Sequence, residues 1–175
     1  YTPLDYSETF SQMTGSNVYL KLENMQKTGS FKIRGAYNAI AALGPEEQKK
    51  GIIAASAGNH AQGVASAAAR LGIKATIIMP EGAPISKIMA TRSYGADVIL
   101  AGADYDGAYQ KALELQESSG ATYIHGFDDY RIMAGQGTVS LELLEQLPGI
   151  NTVLVPVGGG GLIAGMSYVL KKLKP

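Results

Sequence analysis

Short apolar segments alternate with longer amphipathic segments along this chain, and that alternation limits its possible folds more than any other feature. The predicted strands are residues 18–22, 52–55, 75–79, 97–100, 122–124 and 152–157, and the predicted helices are residues 31–43, 61–71, 85–94, 105–119, 129–147 and 162–173. The strands are rich in Val, Ile and Ala with little polar alternation, which is typical of strands buried on both faces. The order therefore predicts an α/β fold, with an open, twisted parallel sheet and helices on both faces.

Charge and composition exclude several classes of function. Lys plus Arg and Asp plus Glu number 15 each, so no charge excess favours nucleic acid or an anionic membrane. The absence of cysteine excludes disulfides and thiolate metal sites, and the two histidines have no recognisable metal-ligand spacing. No signal peptide is visible at the start, and the longest apolar stretch, near residues 162–170, is too short to cross a bilayer. We therefore expect no metal, nucleic-acid or membrane partner, and a cytoplasmic location.

The strongest motif follows the last predicted strand, at the kind of position where parallel sheets bind ligands. It consists of Gly158, Gly159, Gly160 and Gly161, followed by Leu162 at a predicted helix start. Because glycines have no side chains, the N–H groups of successive glycines can converge on an anion, and a helix N-terminus adds partial positive charge. The spacing matches neither a nucleotide P-loop nor Gly-x-Gly-x-x-Gly. We interpret the loop as a phosphate site; a tight turn that requires glycine is the alternative.

Lys32 stands in the first turn of a predicted helix, among apolar neighbours. Helix-end potential and desolvation both disfavour the ammonium form, and the free amine is the form that makes a Schiff base. A lone lysine is usually a solvated surface group. Only the combination with the glycine loop favours a nucleophile here.

The segment from Ser56 to His60 joins a predicted strand to a predicted helix. Ser56 or Asn59 could serve simply as a helix cap. Equally, the loop could bind a carboxylate at the helix N-terminus while Asn59 contacts a ligand hydroxyl. For His60 alone, a structural polar role is favoured over catalysis.

Gly135 and Gly137 interrupt the predicted helix at residues 129–147. Each glycine within a helix costs about 1 kcal/mol relative to alanine. We expect either close packing or a nearby ligand to explain them, and the sequence does not separate the two.

Four segments together resemble the fold-type II pyridoxal 5'-phosphate (PLP) enzymes, the group that includes tryptophan synthase β. They are Ser30–Ala36, Ser56–Gly63, Ala134–Thr138 and Pro156–Leu162. Within that group the chain looks like the threonine/serine dehydratases, or threonine deaminases, from about Thr2 to its last residue. The resemblance implies that the family's chain continues well past Pro175, so the carboxyl-terminal part of the catalytic domain is expected to be missing.

The resemblance also implies roles for individual residues. Lys32 would hold PLP and act as the catalytic residue, with Phe31 packed by the ring of the cofactor. Asn59 would contact the ring hydroxyl. The phosphate would be held by Gly158, Gly159, Gly160, Gly161 and Leu162, and the substrate carboxylate by Ser56, Ala57, Gly58, Asn59 and His60.

Domains and partners follow from the same resemblance. A small α/β domain is expected at residues 35–130, inserted in a larger PLP-binding domain to which residues 1–34 and 131–175 belong. Relatives form homo-oligomers. Some are activated by a nucleoside monophosphate, and Lys27, Thr28 and Gln62 lie in matching segments.

The implied activity is that of a lyase that deaminates L-threonine to 2-oxobutanoate and ammonia, and L-serine to pyruvate, in threonine catabolism or isoleucine biosynthesis. The alternatives are a PLP-dependent β-replacement enzyme, a serine racemase, and a non-catalytic phosphate-binding protein. The related racemases carry a second serine at the position of Ala57, and its absence argues for elimination.

Overall fold

The computed structural model describes every residue from Tyr1 to Pro175. Its strands are β1 (Leu4–Tyr6), β2 (Tyr19–Lys21), β3 (Ile52–Ala55), β4 (Ala75–Met79), β5 (Asp97–Leu100) and β6 (Thr122–Tyr123). Its helices are α1 (Glu8–Thr14), α2 (Lys32–Ala41), α3 (Pro45–Lys50), α4 (Asn59–Leu71), α5 (Ile85–Ser93), α6 (Tyr105–Ser119), α7 (Tyr130–Gln146) and α8 (Gly161–Leu173), with a 3₁₀ turn at Glu23–Met25. No helix is long and apolar enough to cross a membrane.

The centre of the fold is a four-stranded parallel sheet in the order β5-β4-β3-β6. All four residues of β3 are buried, and they alternate between two cores. Ile52 and Ala54 face a core that α2 and α4 complete, whereas Ile53 and Ala55 face alanines of α6. The predicted α/β class, with a parallel sheet and helices on both faces, is therefore confirmed.

One predicted strand is wrong. Residues 152–157 form no strand, because no other strand of this chain lies beside them to supply the hydrogen bonds of a ladder. Leu154 is 92% exposed and Val157 is 64% exposed. An apolar β-branched sequence is suited to a strand, but strand formation also needs a partner.

The structure adds β1 and α1, which the sequence pattern did not predict, to the predicted strand at residues 18–22, and the three form a small amino-terminal unit. β1 and β2 form an antiparallel pair, with Asp5 opposite Leu20, and α1 connects them. Ser7 caps α1 by accepting a hydrogen bond from the Phe10 N–H.

The short helix α3 begins at Pro45, a position where the missing N–H of proline costs nothing.

Helices α2, α7 and α8 pack backbone against backbone through glycines. A methyl group added at Gly135 of α7 would lie 2.5 Å from the carbonyl oxygen of Arg34 in α2, and one at Gly137 would lie 3.0 Å from the carbonyl oxygen of Gly165 in α8. Between them, the buried side chain of Gln136 accepts a hydrogen bond from the Gly35 N–H at 3.2 Å. Close packing therefore accounts for the two glycines of α7.

A buried ion cluster ties the amino-terminal strands to this helix stack. Arg34 of α2 makes paired hydrogen bonds to Glu23 and to Glu142 of α7, and Lys21 of β2 contacts Glu142 at 2.5 Å. Burial raises the pKa of Glu142, but the hydrogen bonds from Arg34 and Lys21 outweigh it and lower that pKa to about 2. The cluster fixes the orientation of the first turn of α2, where Lys32 lies.

Candidate active site

Lys32 is the first residue of α2, and its amine points to the loop that follows β6. Its Nζ donates a hydrogen bond to the carbonyl oxygen of Gly126 at 2.6 Å and lies 5.4 Å from the centre of the Phe31 ring. Burial lowers the pKa of the Lys32 amine from its ordinary value, because desolvation penalises the ammonium form. Such an amine is neutral more often at a given pH than one on the surface.

Lys32 and the glycine loop share one cavity of about 290 Å³, near the lower end of the range for small-molecule sites. Its wall is formed by Phe31, Lys32, Phe127, Pro156, Val157, Gly158, Gly159, Gly160, Gly161, Leu162 and Ile163. The fold thus brings together the two groups that the sequence singled out for an amine and an anion, although they lie far apart in the chain.

The glycine loop has the form of an anion cradle. Gly160 has a φ of 85°, a conformation that favours glycine, and α8 begins at the next residue with no side chain capping it. The N–H groups of the first turn of α8 are therefore left for another acceptor. Space in front of Gly158 and Gly160 is open, with no atom within 4 Å of an added methyl group. These features fit a phosphate group.

The other two glycines of the loop are packed from behind. A methyl group at Gly159 would collide with the ring of Phe127, and one at Gly161 would lie 2.8 Å from the Phe127 carbonyl oxygen. Glycine is therefore required at these positions by the neighbouring loop, whereas Gly158 and Gly160 face open space.

The segment from Ser56 to His60 lies beside the cavity, but none of its residues lines the cavity wall. Helix α4 begins at Asn59 and no side chain caps it; the Ser56 hydroxyl instead accepts from the Gly58 N–H at 3.2 Å. Helix capping thus does not explain Ser56 or Asn59. Gly63, one turn into α4, packs on the backbone of Lys32 and Ile33, so α4 starts next to the lysine.

His60 is buried and has a structural partner. Its Nε2 lies 3.0 Å from the Ile124 carbonyl oxygen, and burial is the main cause that lowers the pKa of His60 to about 4. The ring is therefore neutral near pH 7, which agrees with a structural polar role.

Three residues of the cavity region escaped the sequence reasoning: His125, Gly126 and Phe127. They belong to the loop after β6, at the carboxyl end of a strand, where open parallel sheets bind ligands. That position was a signal, but no residue type in the loop indicated which atom would matter. Gly126 acts through a backbone carbonyl, which any residue carries.

A larger depression of about 560 Å³ lies at the opposite edge of the sheet. Its wall includes Lys74, Arg92 and Asp97, close to the amino ends of β4 and β5. Ligands of open parallel sheets bind at the carboxyl ends, so the smaller cavity beside Lys32 is the better candidate. No group of three or more His, Cys, Asp or Glu side chains is placed to hold a metal ion.

This chain is similar to known proteins in sequence and in structure. The family model described as "Pyridoxal-phosphate dependent enzyme" matches residues 1–175. An L-threonine ammonia-lyase of Thermotoga maritima is 59% identical over 174 residues, which are 99% of this chain and 43% of that protein. The processed form of threonine deaminase isoform 2 from Solanum lycopersicum has 49% identity and a TM-score of 0.97, with 99% of this chain and 48% of that chain covered. Maize serine racemase has 44% identity and a TM-score of 0.96, with 99% and 53% covered. The chain spans about half the length of these relatives.

Proposed function

Because this chain belongs to the pyridoxal-phosphate dependent enzyme family, we propose that the whole protein deaminates L-threonine to 2-oxobutanoate and ammonia, as a threonine ammonia-lyase. The observation that carries the proposal is the single cavity that holds both the Lys32 amine and the tetraglycine loop. The similar proteins named L-threonine ammonia-lyase and threonine deaminase support this choice of reaction.

The residues present suit PLP. The Lys32 amine, with its lowered pKa, would bind the aldehyde carbon, and the N–H groups of Gly158–Gly161 and Leu162 would hold the phosphate. Phe31 would pack by the ring, and Asn59 would contact the ring hydroxyl. When bound, PLP supplies an electron sink for the charge that develops at the substrate Cα.

The chain's own groups would carry out the remaining tasks. The Lys32 amine, when free of the cofactor and unprotonated, would take the proton from the substrate Cα. The N–H groups between Ser56 and His60, at the start of α4, would hold the substrate carboxylate. Loss of the β-hydroxyl as water and hydrolysis of the product then release ammonia. L-serine should also be accepted, because one methyl group changes binding in a pocket by only about 1–3 kcal/mol. Its deamination would give pyruvate.

Serine racemisation is the second candidate, favoured by the similarity to maize serine racemase. Racemisation needs a second acid–base group on the opposite face of the substrate. Ala57 stands where the related racemases carry a serine, and its methyl group cannot transfer a proton. We therefore rank elimination first. A β-replacement enzyme and a non-catalytic phosphate-binding protein rank below both.

Several finer features belong to the same proposal. They are a homo-oligomer, a cytoplasmic location, a nucleotide effector near Lys27, Thr28 and Gln62, and a small domain at residues 35–130 between two parts of a larger one. The metabolic role would be threonine catabolism or isoleucine biosynthesis.

The test uses the whole protein with added PLP. We expect ammonia release from L-threonine, a visible absorption band of lysine-bound PLP, and borohydride trapping of the cofactor on the peptide that contains Lys32. The Lys32→Ala variant should lose all three. With L-serine as the substrate, production of D-serine without ammonia would favour racemisation instead. Trapping of the cofactor on another lysine would refute the role given to Lys32.

A further inference from the structure

His125 makes a pair of hydrogen bonds that the proposed mechanism leaves unused. Its Nδ1 accepts from two backbone N–H groups, those of Phe127 at 3.1 Å and Asp128 at 2.7 Å. The three residues belong to the loop between β6 and α7. One imidazole nitrogen therefore closes this loop into a tight turn.

The two bonds define the state of the ring. An imidazole nitrogen accepts hydrogen bonds only when it carries no proton, so the neutral ring must have its hydrogen on Nε2. The ring also stacks edge to face with Phe127, at a centroid distance of 4.6 Å and an interplanar angle of 85°. The acceptor and the ring thus fix the loop in two different ways.

This loop connects the two halves of the candidate site. The Gly126 carbonyl oxygen, inside the turn, accepts a hydrogen bond from the Lys32 amine at 2.6 Å. Phe127 packs behind Gly159 and Gly161 of the glycine loop. A displacement of the turn would therefore move the partner of the amine and the support of the anion cradle together.

We propose that His125 is a positioning residue, whose Nδ1 holds the loop at residues 126–128 so that the Lys32 amine and the glycine cradle keep their relative placement. The proposal rests on the proposed function in so far as PLP is the molecule that needs this placement. His125 itself does not line the cavity.

Two matched variants separate the roles of acceptor and ring. His125→Phe keeps an aromatic ring against Phe127 but removes the acceptor, whereas His125→Asn removes the ring but offers a side-chain oxygen near the position of Nδ1. Hydrogen exchange of the Phe127 and Asp128 amides is measured in the PLP-free whole protein, and the PLP dissociation constant is measured by titration.

In His125→Phe we expect the two amides to exchange about tenfold faster and PLP to bind about tenfold more weakly, as the loss of one to two neutral hydrogen bonds implies. His125→Asn should restore both quantities to within about threefold of the unsubstituted protein. Amides of β4, such as that of Ile77, report on the fold and should not change.

Unchanged exchange and PLP affinity in His125→Phe would overturn the proposal, as would an Asn variant no better than Phe. If His125→Phe also loosens β4, nitrogen NMR of the unsubstituted protein decides: a neutral His125 with its hydrogen on Nδ1 would refute the proposal. Exchange and NMR need no cofactor, so a protein that failed to bind PLP would refute the proposed function while these measurements still tested His125.

Discussion

At the scale of single residues, the environment of each charged group decides whether it contributes to chemistry or to stability. Lys32 is part-buried with only a carbonyl for a hydrogen-bond partner, so burial lowers the pKa of its amine. Glu142 is buried but is surrounded by Arg34 and Lys21, so its carboxylate stays charged. The first arrangement suits a nucleophile, and the second suits a structural anchor.

We expect the Lys32 amine to react with an amine-modifying reagent at lower pH than exposed lysines do. The reason is that its lowered pKa leaves more of the free amine at a given pH. Lys49, whose side chain is 71% exposed, serves as the internal comparison. The rate of acetylation at each lysine is measured by mass spectrometry in the PLP-free protein between about pH 7 and pH 10, a range that spans roughly the ordinary pKa values of α-amines and lysines. Equal pH profiles for Lys32 and Lys49 would contradict the prediction.

Replacing Glu142 with glutamine should lower the free energy of unfolding by roughly 3 kcal/mol at pH 7, since it breaks a buried ion cluster. Glu46→Gln is the matched control, because its pair with Lys49 is exposed and should be worth less than about 1 kcal/mol. Urea unfolding of both variants measures the difference. Similar losses in the two would mean that the cluster adds no special stability.

The same carboxylate predicts a pH dependence. The folded-state pKa of Glu142 is about 2, below its ordinary 4.5, so folding favours the deprotonated form. The stabilisation that Glu142 contributes is fully present above about pH 4.5 and is lost as the pH falls towards 2. The unsubstituted protein should therefore lose more stability than Glu142→Gln over that acid range, and parallel curves would exclude Glu142 as the cause.

At the scale of elements, local patterns predicted what local interactions decide. The bounds of β3, β4, β5 and α6 match the predictions, because continuous apolar runs and glycine stops mark them in the sequence. β1 was missed, since a three-residue strand is held by its partner rather than by its own pattern. The seven-residue helix α1 was missed as well. The strand predicted at residues 152–157 is wrong for the converse reason, because the pattern is present but the partner strand is not.

The candidate site follows the same division. The helix start at Lys32 and the glycine loop before α8 are local features, and the sequence predicted both. Their shared cavity supports the pairing, but the Gly126 carbonyl and the ring of Phe127 reach the site only through the turn after β6. No residue pattern encodes a backbone carbonyl, so this part could not be predicted.

The glycine contacts between helices give a prediction at this scale. Gly135→Ala should destabilise the protein by about 1–3 kcal/mol, because the new methyl group would meet the backbone of α2, although alanine is otherwise the better helix former. Gly149→Ala is the control, since nothing lies within 4 Å of its added methyl group. Thermal melts of the two variants test the difference, and a gain in stability for Gly135→Ala would show that the helices can separate at no cost.

At the scale of the whole molecule, the packing is uneven. Two cores enclose the parallel sheet, and a third, smaller cluster joins α7 to α8 around Val139, Leu143 and Met166. Val153 and Val155 of the segment at residues 152–157 pack against that third cluster, whereas Leu154 and Val157 are turned to solvent. Stability in this chain therefore resides in the sheet and the helix stack.

A pair of leucines should show that contrast. Leu154→Ala is expected to change the free energy of unfolding by less than about 0.5 kcal/mol, as is usual for exposed positions. Leu143→Ala should cost about 2–5 kcal/mol because it empties a buried site in α7. Urea titrations of this 175-residue chain provide the measurement, and a large loss for Leu154→Ala would mean that the Leu154 side chain is packed in solution.

The backbone contacts among α2, α7 and α8 have a consequence for motion. Lys32 begins α2 and Gly161 begins α8, and both helices approach the backbone of α7 at glycines, with the buried Gln136 side chain hydrogen-bonded between α7 and α2. Such close backbone contacts leave little room for adjustment, so thermal fluctuation should move the three helices as one body. The Lys32 amine and the glycine cradle should therefore keep their spacing while other parts of the chain fluctuate.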